Sequence, residues 1–190
     1  MDRVEFVLQN LRGKILDVGF AACSLHGKIK KKFPRKNIFG VDSEPVPKNA
    51  NYKRGSAEKI PFEDKQFDSI MAGELIEHLH RPELFVQEAH RLLKKNGIMI
   101  ITTPNRKSLI NRLTRTYHAS LHFSLFSIPE LTAVLEKNGF AVEKLFCLPY
   151  NEESSPGSRH KRFYAVRKAV HFLVPIDSFR EEIVLLARKK

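Results

Sequence analysis

The sequence predicts an α/β architecture: a doubly wound, mostly parallel sheet of seven strands with helices on both faces. Three observations carry the prediction. Short apolar runs alternate with amphipathic stretches along the whole chain. The short runs are apolar throughout rather than at every second residue, as strands covered on both faces require. The punctuation between them consists of residues that begin and end helices.

In chain order, residues 14–19 (KILDVG) read as a buried strand, with a helix to about Lys32. Residues 37–42 (NIFGVD) read as a second strand and 52–56 as a short third. Residues 67–73 (FDSIMAG) form a fourth, followed by a helix over 82–95. Pro82 suits the first turn of that helix, where its missing N–H costs nothing, and Asn96-Gly97 stops it. Residues 97–103 (GIMIITT) are the fifth strand. A helix over 128–138 has Ser127 as its N-cap and Gly139 at its C-terminal end. Residues 140–148 are the sixth strand, 159–174 a basic amphipathic helix, and 181–187 (EEIVLLA) the last strand.

The 190 residues fit one domain, with 151–178 as a basic helical insertion between the last two strands. A 42% apolar fraction suffices for a continuous core and argues against disorder. No apolar run approaches the ~20 residues that span a bilayer. The start, Met1-Asp2-Arg3-Val4-Glu5, is acidic where a signal peptide would be basic, so a cytoplasmic location is expected. Cys23 and Cys147 have no metal-type spacing and read as free thiols. With no HExxH either, no metal centre is expected.

The net charge of +12 favours anionic partners without choosing among them, and it equally suits a solubilising surface. The basic residues form three clusters. Lys28, Lys30, Lys31, Lys32, Arg35 and Lys36 read as the solvated face of a helix. Arg106, Lys107, Arg112 and Arg115 lie in an acid-free stretch from Asn105 to Pro129, and Arg159, Lys161, Arg162, Arg167 and Lys168 lie in the insertion. The last two clusters are placed where a substrate approaches.

In such sheets ligands bind at the carboxyl ends of the strands, near the switch in strand order. The first such loop, Asp17-Val18-Gly19-Phe20-Ala21-Ala22-Cys23, has an acid two residues before its glycine. A carboxylate there disfavours a pyrophosphate and suits a cationic group; alternatively it ties down its own turn. Asp42, ending the second strand and followed by Ser43, stands where an acid accepts hydrogen bonds from ribose hydroxyls, or else caps a turn. The segment from Gly55 through Ser56 and Ala57 to Phe62 offers free backbone groups that can read an adenine edge, or else is simply a turn. After the fourth strand, Ala72-Gly73-Glu74-Leu75-Ile76-Glu77-His78-Leu79 gathers two carboxylates and a histidine.

Together these segments resemble the class I S-adenosylmethionine-dependent methyltransferases, and most closely the group of the ubiquinone and menaquinone methyltransferases. ILDVGFAAC resembles the first motif and VDSEP the second. GSAEKIPFEDKQFDSI resembles the adenine-side segment, and ELIEHL with LLKKNGIMIITTPN the following helix and fifth strand. The resemblance implies a Rossmann-like fold and S-adenosylmethionine as cofactor. It implies that Asp17 and Gly19 sit at the methionine end, with Ala21 in the same loop. Asp42 would hold the ribose, with Ser43 beside the adenine and Ser56 and Ala57 flanking it. Gly73, with Glu74 and neighbouring carbonyls, would contact the methionine moiety. Three positions depart from the pattern: Ala21 and Cys23 replace glycines, and Ser56 replaces a common Asp.

Methyl transfer releases a neutral thioether and needs no leaving-group acid, so alignment and water exclusion carry most of the catalysis. A base is needed only for an acceptor proton of high pKa. His118 and His122 are the candidates, each also readable as a surface or structural residue; Glu77 and His78 read as cap and packing residues. Phe123, Phe126 and Tyr117 either wall an acceptor site or pack the core. A small, lipid-linked or phosphorylated acceptor is expected. The 159–174 helix lies on an anionic membrane, covers the pocket, binds a phosphorylated acceptor or simply covers the sheet. The rivals are a non-catalytic S-adenosylmethionine-binding partner protein and a nucleic-acid methyltransferase, which only the charge supports. A nicotinamide-dependent reductase lacks its GxGxxG loop here.

Overall fold

The computed structural model describes residues 2–113, 122–148 and 180–190, with positions 169, 172 and 173. Tyr117 and His118 lie outside the described residues. So do the predicted 159–174 helix and the 151–178 insertion, apart from those three positions.

The sheet has seven strands: β1 (Ile15–Val18), β2 (Ile38–Asp42), β3 (Tyr52–Arg54), β4 (Phe67–Gly73), β5 (Leu93–Pro104), β6 (Phe140–Leu148) and β7 (Glu182–Lys189). Their order is β3-β2-β1-β4-β5-β7-β6. The first five pair in parallel, and β7 runs antiparallel between β5 and β6. The chain moves outward from β1 to β3 and then returns to β4, so the order switches between β1 and β4. The loops after those two strands diverge there and leave a crevice.

Helices α1 (Arg3–Asn10) and α2 (Leu25–Lys32) cover one face, and α3 (Pro82–Leu92) and α5 (Ile128–Lys137) the other; α4 (Leu109–Leu113) follows β5. Strand alternation sends neighbouring residues to opposite cores. Ile15 packs with Phe6, Leu25 and Ile29, whereas Leu16 packs with Phe85, Val86 and Leu92. By the same alternation Asp17 faces α2, with consequences below.

Ser127 begins α5 as predicted, in a capping box: its backbone N–H (2.9 Å) and hydroxyl (2.6 Å) both donate to Glu130 Oε2. Gly139 follows α5 at φ +84°, the left-handed conformation a helix end favours.

Two elements differ from expectation. The third helix stops at Leu92, three residues early, because Leu93 is already extended and pairs with Phe67 of β4. Asn96, at φ +59°, then makes the bend assigned to the helix stop. The acidic start is followed by a helix, α1, which the strand-and-helix reading omits. The Asp2 carboxylate caps it, accepting from the Glu5 N–H at 2.7 Å.

Candidate functional site

A cleft of about 510 Å³ opens at the carboxyl ends of β1, β2 and β4. Of the nine residues predicted to hold a cofactor, seven line it: Gly19, Ala21, Asp42, Ser43, Ser56, Ala57 and Glu74.

The loop after β1 is shaped by Gly19, at φ +72°, whose N–H donates to Val41 O at 2.9 Å. A Cβ there would meet Leu75 Cδ1 at 2.8 Å. Gly19→Ala is therefore expected to destabilise the fold by about 1–2 kcal/mol, a drop of roughly 2–8 °C in thermal midpoint. An unchanged midpoint in a melting experiment would mean that the loop relaxes freely. Ala21, in the place of a glycine, carries no such strain, since the non-glycine residues with positive φ among those described are Lys65, Glu74 and Asn96.

Asp42 couples the loops. Its Oδ2 accepts from the Ala21 N–H at 2.8 Å and its Oδ1 from the Glu44 N–H at 3.0 Å. Each oxygen keeps a lone pair for a ligand hydroxyl at the cleft wall. Ser56 begins a tight turn, its hydroxyl accepting from the Glu58 N–H at 3.1 Å.

Asp17 and Gly73 do not line the cleft. Asp17 is 1% exposed beneath it, because strand alternation turns it toward α2. There His26 Nδ1 donates to its Oδ2 at 2.9 Å, and His26 Nε2 accepts from the Tyr52 hydroxyl at 2.9 Å, the tautomer that satisfies both contacts. Burial pushes the Asp17 carboxyl up while the His26 hydrogen bond pulls it back. Gly73 is buried against Cys23, whose Sγ would lie 3.0 Å from an added Cβ. Burial pushes the Cys23 thiol up to about 11, which keeps it protonated and unreactive at neutral pH.

Glu74, at φ +51°, turns the chain sharply after β4. Its N–H donates to Thr102 O at 2.9 Å. Its carboxylate accepts from the Thr102 hydroxyl at 3.2 Å and from Arg3 at 3.4 Å. Arg3 is itself 2% exposed and also donates to Glu182 Oε1 at 2.8 Å. Burial raises the Glu182 carboxyl to about 8, against the pull of Arg3 and with a further push from Glu74. Arg3, Glu182, His26 and Tyr52 all escaped the sequence reading. Arg3 alone left a signal, four positions before Val7 on the buried stripe of the first helix.

On the α3 side, Glu77 is fully buried. Its Oε2 accepts from the Thr103 hydroxyl at 2.9 Å, and its Oε1 has no partner. Burial, then the Glu74 charge, push its carboxyl well above the usual range. Its backbone carbonyl accepts from the Phe123 and Ser124 N–H groups at 2.8 and 3.0 Å. These bonds bring His122 beside His78, with ring centres 4.9 Å apart. One ligand atom from each of Glu77, His78 and His122 falls within 4.8 Å of the others. That carboxylate–imidazole donor set suits a divalent transition ion. The sequence reading did not bring these three together, because two come from a strand-end turn and the third from a distant segment. His78 also lines the cleft, whereas Phe126 is core and Phe123 stacks on His80 at 3.9 Å.

Among the described residues, no helix is long and apolar enough to cross a membrane.

The sequence model of the methyltransferase domain family matches residues 1–145. The chain is 32% identical over 166 residues to a mitochondrial ubiquinone biosynthesis O-methyltransferase of Mus musculus, covering 73% of this chain and 44% of that one. Among solved structures, it resembles an Archaeoglobus fulgidus SAM-dependent methyltransferase with a TM-score of 0.69 at 21% identity, over 98% of this chain and 94% of that one. It also resembles the Haloferax volcanii protein solved in complex with the Trm112 methyltransferase activator, with a TM-score of 0.72 at 14% identity, over 97% and 87%. The chain spans about half the length of the curated relatives it matches. A family match over most of the chain, together with a cleft at the switch point of a seven-stranded sheet, places this protein in the methyltransferase domain family, with S-adenosylmethionine as its cofactor.

Proposed function

We propose that this chain binds S-adenosylmethionine in the 510 Å³ cleft and transfers its methyl group to a small or lipid-linked acceptor. The carrying observation is Asp42, a carboxylate fixed at the end of β2 by the Ala21 and Glu44 N–H groups and lining the cleft. We assign it to the ribose hydroxyls. Ser43, Ser56 and Ala57 are assigned to the adenine, and Gly19, Ala21 and Glu74 to the methionine end. Asp17 supports that end from below through the His26 chain, and Gly73 by leaving room for Cys23.

The cofactor supplies a methyl group already activated on a sulfonium. The protein's work is then to align the acceptor behind that carbon and exclude water. Glu74, drawn back by Thr102 and Arg3, places a carboxylate at the end of the cleft assigned to the cofactor's cationic methionine moiety. His122, next to His78 at the cleft mouth, is assigned to the acceptor side, where a proton must leave if the acceptor is a hydroxyl. The name of the Mus musculus relative points to oxygen methylation of a quinone-type acceptor. The basic stretch at 159–174 is assigned to a phosphorylated or membrane-borne acceptor.

The test is thermal melting with S-adenosylmethionine, S-adenosylhomocysteine and NADH. A ligand at a hundred times its Kd adds about 2.7 kcal/mol, a rise of about 5–10 °C. A rise with both sulfur ligands and none with NADH is expected. No rise with either sinks the cofactor site.

A further inference from the structure

A second and larger cleft, of about 700 Å³, lies beside Tyr52. Its walls are the outer side of α2, the short 3-10 turn Arg35–Asn37, and the connection from β2 to β3. Parallel strands are ordinarily joined by a crossover helix. Here residues 43–51 make the crossover without any helix, which leaves open the space beside α2. Four of the six residues of the sequence's first basic cluster, read there as a solvated helix face, line this space.

Lys30, Lys31, Arg35 and Lys36 line the cleft, and no carboxylate does. Among the described residues none of the four forms an ion pair. Cations in the last turn of α2 complement its dipole, which accounts for Lys30 and Lys31. It does not account for Arg35 and Lys36, which lie beyond the helix yet face the same hollow. Four uncompensated cations around one concavity repel one another, and an anion relieves that repulsion.

Gly27 is an independent pointer. It sits inside α2 on the cleft wall, where a glycine costs about 0.5–1 kcal/mol relative to alanine. Among the described residues, its chain neighbours and its own helix backbone aside, nothing lies within 4 Å of the Cβ it lacks. Its φ is not in the left-handed region either, so neither packing nor backbone conformation accounts for it. Close approach of a ligand to the helix backbone would.

We propose that this cleft binds a small, multiply phosphorylated molecule at a site separate from the methyl-transfer cleft. The concavity is of the size that small-molecule sites have, roughly 300–1,000 Å³. It is closed on one side by the 43–51 connection, which Asn51 pins by donating to Ile38 O at 3.1 Å. An extended polyanion would instead call for an open basic stripe. The inference stands whether or not methyl transfer is the reaction.

The experiment is titration with inorganic tripolyphosphate, followed by calorimetry and phosphorus NMR, on three proteins: the native chain, Gly27→Leu, and the triple variant Lys31→Gln, Arg35→Gln, Lys36→Gln. Saturable one-site binding that weakens with salt is expected for the native chain. Both variants should lose about tenfold or more in affinity. Gly27→Leu adds a strong helix former in open space, so its melting point should hold or rise while its binding falls. The S-adenosylhomocysteine melting shift, measured alongside, should match the native value in both variants and separates this proposal from the cofactor site. Absence of saturable binding, or binding unchanged in Gly27→Leu, overturns the proposal. So does a single-stranded RNA oligonucleotide that outcompetes tripolyphosphate on native and Gly27→Leu proteins alike, since the cations would then serve an extended chain.

Discussion

Asp42→Ala is expected to weaken S-adenosylhomocysteine binding by about 10²–10³-fold, the loss of one or two hydrogen bonds to a charged group at about 1.5–3 kcal/mol each. Asp42 also holds the Ala21 N–H, so its removal frees the loop after β1 from the end of β2. Asp42→Asn keeps the shape and one accepting oxygen, and should lose about tenfold, as a neutral acceptor is roughly half as strong. Isothermal titration of the three proteins gives the ranking directly. A native-like affinity in Asp42→Ala would place the ribose elsewhere and remove the basis for the whole site assignment.

Arg3→Leu should be the most destabilising of the changes considered, and its cost should depend on pH. Arg3 is the cation shared by Glu182 and Glu74, and it is buried. Removing one partner of a buried pair costs about 3–5 kcal/mol while the other stays charged. The sign follows from proton linkage. The folded Glu182 carboxyl titrates at about 8 against 4.5 for its ordinary value, so the folded protein holds more protons between those limits. Stability is thus full below about 4.5 and falls as pH rises through 8. Glu77 shifts in the same direction. Without Arg3 the Glu182 carboxyl rises further and is protonated at neutral pH, which limits the loss there. The cost should be small at pH 5 and greatest at pH 9. Thermal unfolding of Arg3→Leu and of Arg3→Leu with Glu182→Gln at both values checks this, and the double variant should recover most of the stability at pH 9. A cost equal at both pH values would mean that Arg3 acts through packing alone.

These two residues differ in how they can be found. Asp42 is visible in the sequence because its position is set by a strand of regular length and a spacing from Gly19. The first motif is visible for the same reason, and so is Ser127 as the N-cap of α5, since a cap acts within one helical turn. Arg3 bonds a carboxylate 179 positions distant, and nothing local to either residue announces the other. Asp17 shows the intermediate case. Its motif is readable, but the period of the strand turns it away from the cleft toward His26, so the same residue supports the loop rather than lining it.

The sequence by itself determined the alternation of strands and helices after α1, the start of α3, both ends of α5 and the order of the ligand loops. Each depends on residues within a few positions of one another, where backbone preferences and apolar period act. The tertiary structure alone decided that β7 runs antiparallel between β5 and β6, and that α1 delivers a buried arginine to the site. It also decided that His122 meets His78 and Glu77, and that a helix-free crossover turns a run of surface lysines into the wall of a cleft. Those outcomes come from burying apolar faces against each other, which brings together side chains that no local spacing relates.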